Sequence, residues 1–179
     1  MSNKRLPDTS EEVKDRAAAF LKTIKAESDR GCVLVAAAFL DEALELLLRS
    51  KMKSQPQILK KSVDPLLTGI GPLKSFWAKT ELCRTLDYLA EWEYEDLSRI
   101  RNLRNLFAHS YEHADFDDPR VIEIVMKLNA FGERIVPQGK AQMPAGVKEA
   151  RQRFSLAASW LGGALHLRAG MAKVERSGR

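Results

Sequence analysis

Asp29-Arg30-Gly31-Cys32-Val33-Leu34-Val35-Ala36-Ala37-Ala38-Phe39-Leu40-Asp41-Glu42-Ala43-Leu44-Glu45-Leu46-Leu47-Leu48-Arg49-Ser50-Lys51-Met52 is the stretch that decides the fold. At ~100° per residue, Leu34, Ala37, Ala38, Leu44 and Leu48 fall on one stripe of a long helix, with Asp29 placed to cap its start. Asp41 sits in the centre of that stripe, which marks it as a candidate buried acid. The longest apolar run of the chain, Cys32 to Leu40, is bracketed by Asp29, Arg30, Asp41 and Glu42 and is too short to span a bilayer.

Helical patterns continue on both sides. Residues 1–10 read as a flexible start. Glu11 to Glu27 carries Val13, Ala17, Phe20, Leu21 and Ile24 on one face. Lys53 to Pro72 is a break rich in Lys, Gln, Pro and Gly, with a short helical turn at Asp64-Pro65-Leu66-Leu67, where proline takes a permitted first position. Pro72 opens a helix to about Leu89, with Leu73, Phe76, Trp77, Leu82 and Leu86 inward. Another runs from about Glu93 to Ala108. After a polar loop from Ser110 to Asp118, Pro119 opens a helix through Val121, Ile124, Val125 and Leu128. Residues 137–146 read as a linker. A last helix, about Val147 to Val174, has Phe154, Ala157, Trp160, Leu161, Ala164 and Leu165 inward, until Arg168 interrupts that face. Its Gly162-Gly163 pair either weakens the helix or permits close packing. Nothing alternates at period two for long. The expected fold is therefore all-α: a single-domain bundle of about six helices, with a helical core over residues 11–136 and a basic C-terminal helix, 147–179, packing on it.

The chain of 179 residues is long enough for a real core. Met1 to Pro7 lacks the apolar centre of a signal peptide, so the expected location is the cytoplasm, with no membrane partner. Cys32 and Cys83 lie inside helical patterns and are expected reduced and buried. With three histidines and no Cys-x-x-Cys, no structural metal and no cofactor are expected. His109 and His113, with Asp115, Asp117 and Asp118 nearby, read as a solvated loop before a metal site. Gly69 and Gly71 follow no strand and make no nucleotide loop. Trp77 and Trp92 read as core or its edge.

The net charge is +5. Arg49, Lys51, Lys53, Lys60 and Lys61 cluster without an intervening acid, and from Lys148 onward seven basic residues stand against Glu149 and Glu175. Lys51, Lys53, Lys60, Lys61, Arg151 and Arg153 are the candidate nucleic-acid contacts, weighed against an ordinary solvated helix surface. Glu91, Glu93, Glu95 and Asp96 form an acidic patch. No basic recognition helix follows a short glycine turn, so no standard DNA reader is present.

Arg101-Asn102-Leu103-Arg104-Asn105-Leu106-Phe107-Ala108-His109-Ser110-Tyr111 carries the chemistry. Leu97, Ile100, Phe107, Ala108 and Tyr111 all lie within roughly 60° of Arg104 on a helix, which points a permanent cation at the core. Such a cation needs an acid or an anionic ligand, and Asp41 is the natural partner for Arg101 or Arg104. In the structural reading Arg104 bridges helices, His109 caps a helix C-terminus and Tyr111 packs at the core edge.

Two family resemblances rest on these residues. Val63-Asp64-Pro65-Leu66-Leu67-Thr68-Gly69-Ile70-Gly71-Pro72-Leu73 resembles the Pro-Leu-Leu…Gly-Pro-Leu signature of the mannitol operon repressor family. Glu93-Tyr94-Glu95-Asp96, the His109 region and Phe116-Asp117-Asp118 follow that family's order from about residue 28 to 130. The resemblance implies an all-helical bacterial regulator of a sugar operon that represses through a protein or nucleic-acid partner, without a standard DNA-binding motif. Arg104 to Tyr111 is also similar to the Arg-x4-His-x-Tyr motif of HEPN-domain proteins, many of them dimeric metal-independent ribonucleases. That likeness implies Arg104 and His109 as an active pair and Tyr111 as a modifiable tyrosine, with Asp41, Arg101 and Asn105 in support. Metal-free RNA cleavage needs a base, an acid and a cation on the developing phosphorane. One histidine supplies one proton role, so a homodimer is expected to supply the second. On a continuous helix His109 lies ~140° from Arg104, so the pair converges only if the helix ends near Ala108 or the pocket forms between chains.

Overall fold

The structure, a computed structural model, describes residues 10–52, 59–109, 114–131 and 150–177. Among these residues are seven α-helices and no strand. They are α1 (Ser10–Ala26), α2 (Asp29–Lys51), α3 (Asp64–Leu67), α4 (Phe76–Thr85), α5 (Glu91–His109), α6 (Pro119–Met126) and α7 (Ala150–Ser177). No helix among them is long and apolar enough to cross a membrane. The expected linker at 137–146 lies outside the described residues.

The bundle is built around α2, which packs most extensively on α7 and also on α1, α4 and α5. A single-stripe reading fails for a helix surrounded in this way. Cys32, Val33, Ala36, Leu40, Ala43, Leu44 and Leu47 are all buried, whereas Leu34 and Ala38, expected inward, are exposed. The cap also differs from expectation. Ser28 Oγ accepts from the Gly31 amide at 3.1 Å, leaving Asp29 in the first turn. Asp29 instead accepts from the Phe116 amide at 3.0 Å and from Arg151 at 2.8 Å, tying α2 to the segment before α6 and to α7.

Helix α7 lies along α2 and α1 with Phe154, Ala157, Leu161, Leu165 and Ala169 inward. A Cβ on Gly162 would sit 2.0 Å from Phe39 Cε1, so this glycine lets α7 approach α2; the same atom on Gly163 meets nothing nearer than Val13 Cγ1 at 4.0 Å. Trp160, expected inward, is 43% exposed and leans on Trp92, ring centroids 5.6 Å apart. The arginine that interrupts the stripe has a partner: Arg168 donates to Glu93 at 2.9 and 2.5 Å and to the Tyr88 carbonyl at 2.9 Å.

Two of the four residues of the expected acidic patch are not on the surface. Glu93 and Asp96 are both fully buried. Glu93 also accepts from the Ala90 amide at 2.8 Å, closing the start of α5. Asp96 accepts from the Asn129 and Ala130 amides, each at 2.8 Å, and from Arg99 at 3.0 Å, anchoring the chain beyond α6. Burial pushes the Asp96 carboxyl above its usual range despite those donors.

The expected α4 start at Pro72 is displaced by a tight turn. Leu73 N–H donates back to Leu66 at 2.9 Å, and α4 begins only after Ser75, whose hydroxyl accepts from the Ala78 amide at 3.1 Å. The turn demands glycine: a Cβ on Gly71 would fall 2.1 Å from the Pro65 carbonyl oxygen, and Gly69 has φ +63°. This is the physical content of the Pro-Leu-Leu…Gly-Pro-Leu stretch.

Candidate functional site

Helices α2, α4 and α5 leave a groove between them of about 720 Å³. Its floor is α2, with exposed Leu34 and Ala38 and the buried Ala37 between them; one wall is Lys74, Ser75, Phe76 and Trp77 around the start of α4. The other wall is Arg101, Arg104 and Asn105 of α5, and Asp41 also faces the groove.

Four residues singled out by sequence, Asp41, Arg101, Arg104 and Asn105, thus line one feature, but not as the predicted ion pair. The inward face of α5 is Leu97, Ile100, Leu103 and Phe107, together with Glu93 and Asp96. By ideal helical angle Arg104 lies ~50° from the centre of that face, between Glu93 and Leu97, yet it is exposed. Arg104 Nη1 donates to Asn105 Oδ1 at 3.1 Å. The Arg101 guanidinium lies over the Trp77 ring, 4.4 Å from its centroid.

Asp41 is held by Lys79, not by an arginine. Lys79 Nζ donates to both Asp41 oxygens, at 2.8 and 2.9 Å, and to Glu45 at 3.4 Å. The lysine side chain is 2% exposed and that of Asp41 33%. Glu45 in turn accepts from Arg49 at 3.0 Å, and Arg49 pairs with Asp64. A chain of alternating charges therefore runs from α3 through α2 to α4 and ends at the groove. Sequence reasoning missed Lys79. The signal was available, because Lys79 shares a helical face with Phe76 and Cys83, the same kind of misplaced cation that drew notice at Arg104.

His109 is exposed and ends α5, which stays helical through it. Continuous helix keeps it ~140° around from Arg104, so one chain does not bring the two together. Tyr111 and His113 lie outside the described residues. So do Lys53 and the side chain of Lys60; Lys61 is exposed. Lys51 lies over the Tyr88 ring at 5.7 Å. Arg151 is occupied by Asp29 at 2.8 Å and by the carbonyls of Ile24 and Glu27, and Arg153 reaches the Leu128 carbonyl at 3.5 Å. Those two arginines serve helix packing in this fold.

Among the described residues no three His, Cys, Asp or Glu side chains gather as a metal ion would require. Cys32 and Cys83 are free and buried; burial pushes the Cys83 thiol up to about 12, which keeps it protonated and unreactive.

Residues 19–156 match the family model described as Mannitol repressor. A curated relative, the mannitol operon repressor of Escherichia coli strain K12, is 30% identical over 104 residues, 58% of this chain and 50% of that protein. The same figures hold for the mannitol operon repressor of Escherichia coli O6:H1. The chain thus spans about half the length of the curated relatives it matches. Among solved structures, the MtlR chain of an MtlR–HPr complex from Escherichia coli superposes with a TM-score of 0.67 at 22% identity, covering 89% of this chain and 99% of that one. A possible transcriptional regulator, YggD, from Shigella flexneri 2a gives a TM-score of 0.61 at 15% identity, covering 89% and 96%. These two likenesses establish the fold.

Proposed function

Because the chain belongs to the mannitol repressor family, we propose that it is a bacterial regulator of sugar-operon expression that acts through association with a protein partner, as a homodimer. The observation that carries this reading is the superposition of 89% of this chain on 99% of a chain whose structure was solved in complex with HPr. HPr is accordingly the first partner to test. The homodimer draws support from an exposed apolar stripe on α7, Trp160, Leu167 and Met171, spaced seven and four residues apart.

The test is calorimetry and light scattering on the purified chain with the HPr of its own host, alongside electrophoretic shifts on operator DNA. A saturable complex with HPr and no sequence-specific shift supports the reading. Tight sequence-specific DNA binding by the isolated chain, without any HPr complex, refutes it.

The endoribonuclease alternative has one observation in its favour: Arg104 and His109 are both exposed. It requires two copies to bring one chain's arginine to the other's histidine. Incubating wild type and His109→Ala with mixed cellular RNA in EDTA decides it. Intact RNA with both proteins is the outcome expected from the regulatory reading.

A further inference from the structure

The groove between α2, α4 and α5 has a polarity that suits one kind of small molecule. On its α5 side stand two guanidiniums one helical turn apart, joined by Lys74 from the opposite wall. These arginines differ from most others in the fold. Arg49, Arg84, Arg99, Arg120, Arg151 and Arg168 each hold a carboxylate. Arg101 rests on an indole and Arg104 on an amide oxygen, with no carboxylate paired to either among the described residues. The contact with the Trp77 ring is a cation–π one, which occupies none of the lone-pair acceptors a guanidinium N–H would otherwise use. The two forks and the lysine together match a dianion better than a single carboxylate.

The α2 side is different. Asp41 faces the groove, and Lys79 takes one hydrogen bond on each of its oxygens. A carboxylate has about four lone-pair sites, so Asp41 keeps acceptor capacity for hydroxyl groups. Asn105, between the two regions, offers amide N–H donors while its oxygen is engaged by Arg104. A continuous polyanion such as a nucleic-acid strand meets Asp41 as a repulsive charge. A molecule with one phosphate end and one hydroxyl-rich end does not. The groove volume of about 720 Å³ falls in the range of small-molecule sites.

We propose that this groove binds a phosphorylated polyol or sugar, with the phosphate on Arg101, Arg104 and Lys74 and the hydroxyls on Asn105 and Asp41, and that this ligand tunes partner association. The tuning rests on the regulatory reading above; the binding does not. The experiment is calorimetry on the full chain with four probes: a hexitol 1-phosphate, the free hexitol, inorganic phosphate and glutamate. The hexitol phosphate is expected to bind at least tenfold tighter than each of the others. Arg104→Gln is expected to weaken it at least tenfold with an unchanged melting temperature, since Arg104 is exposed. Inorganic phosphate binding as tightly as the hexitol phosphate overturns the proposal, leaving an anion patch. Glutamate binding tightest overturns it in favour of a zwitterion site. No heat with any probe, from protein whose circular dichroism is intact, overturns it outright. Repeating the HPr titration with bound hexitol phosphate separates the two readings: an unchanged HPr affinity removes the tuning and leaves partner binding in place.

Discussion

Gly162 and Gly163 are neighbours on α7 and are predicted to respond to alanine with opposite signs. Each substitution gains helix propensity, ~0.8–1 kcal/mol. At Gly163 nothing opposes that gain, because the new methyl finds Val13 Cγ1 at 4.0 Å, an ordinary contact. At Gly162 the methyl lands 2.0 Å from Phe39 Cε1 and 2.8 Å from two further ring atoms. Carbon atoms rest ~3.5–4.0 Å apart, so ring or helix must yield by more than 1 Å. The ring has little room: Phe20 stacks on it at 4.1 Å and His166 at 5.3 Å between centroids. Overpacking of this kind costs ~1–3 kcal/mol and more where the neighbours are rigid. Gly162→Ala should therefore lose ~1–2 kcal/mol net and Gly163→Ala gain somewhat under 1 kcal/mol. For a domain of this size that is a fall of roughly 2–8 °C against a rise of at most about 4 °C in Tm. Scanning calorimetry on the two variants reads the difference directly. Equal shifts in the same direction would refute the assignment of Gly162 as the point of close approach between α2 and α7.

Other perturbations follow from the buried polar groups. Lys79→Met should cost ~3 kcal/mol, the lower end for breaking a buried pair, because Glu45 keeps Arg49 and Asp41 is a third exposed; a loss below ~1 kcal/mol in urea unfolding contradicts the buried charge chain. His166 is buried, its Nδ1 lies 2.7 Å from the Gly162 carbonyl, and burial, helped by the charge of Arg16, depresses its pKa below the ordinary 6.5 against the Gly162 hydrogen bond and the charge of Glu42. Its contribution to stability is thus present above the unfolded pKa and lost as pH falls through the folded one. Thermal melts from neutral to mildly acidic pH should show that loss in the wild type and a flatter profile in His166→Gln; parallel profiles count against the assignment.

Much of the architecture was legible because apolar periodicity reports helices directly. Where the reading failed, it failed on residues whose chemistry disguised their position. Glu93 and Asp96 look like surface acids, yet both are buried and help define the inward face of α5. Leaving out Asp96 and Leu103, and counting the exposed Ala108, turned the deduced core toward Arg104 and made an exposed residue look buried. The same bias hid Lys79. A sequence shows which side chains are costly to bury, but not which partner another helix will bring. Asp41, expected as a buried partner of Arg101 or Arg104, is a third exposed and pairs with Lys79 instead.

The charge count needs the same correction. A net charge of +5 suggests a polyanion partner only if the cations are free. Here Arg151 and Arg168, two residues of the basic C-terminal excess, are spent holding Asp29 and Glu93. Arg49, Arg84, Arg99 and Arg120 are likewise committed to neighbouring carboxylates. Such pairs cancel at a distance, so the field that reaches a partner comes from cations without an acid beside them. Arg101 and Arg104 are two of these, and they stand together in one groove across from Lys74. A local cluster of this kind selects a compact anion, while an extended nucleic-acid backbone rewards cations spread along its length. If the groove is where anions bind, raising ionic strength should weaken anion binding with a shallow slope set by a few contacts. A slope as steep as a strand-length interface gives would mean that Lys61 and the other exposed lysines act with the groove as one surface.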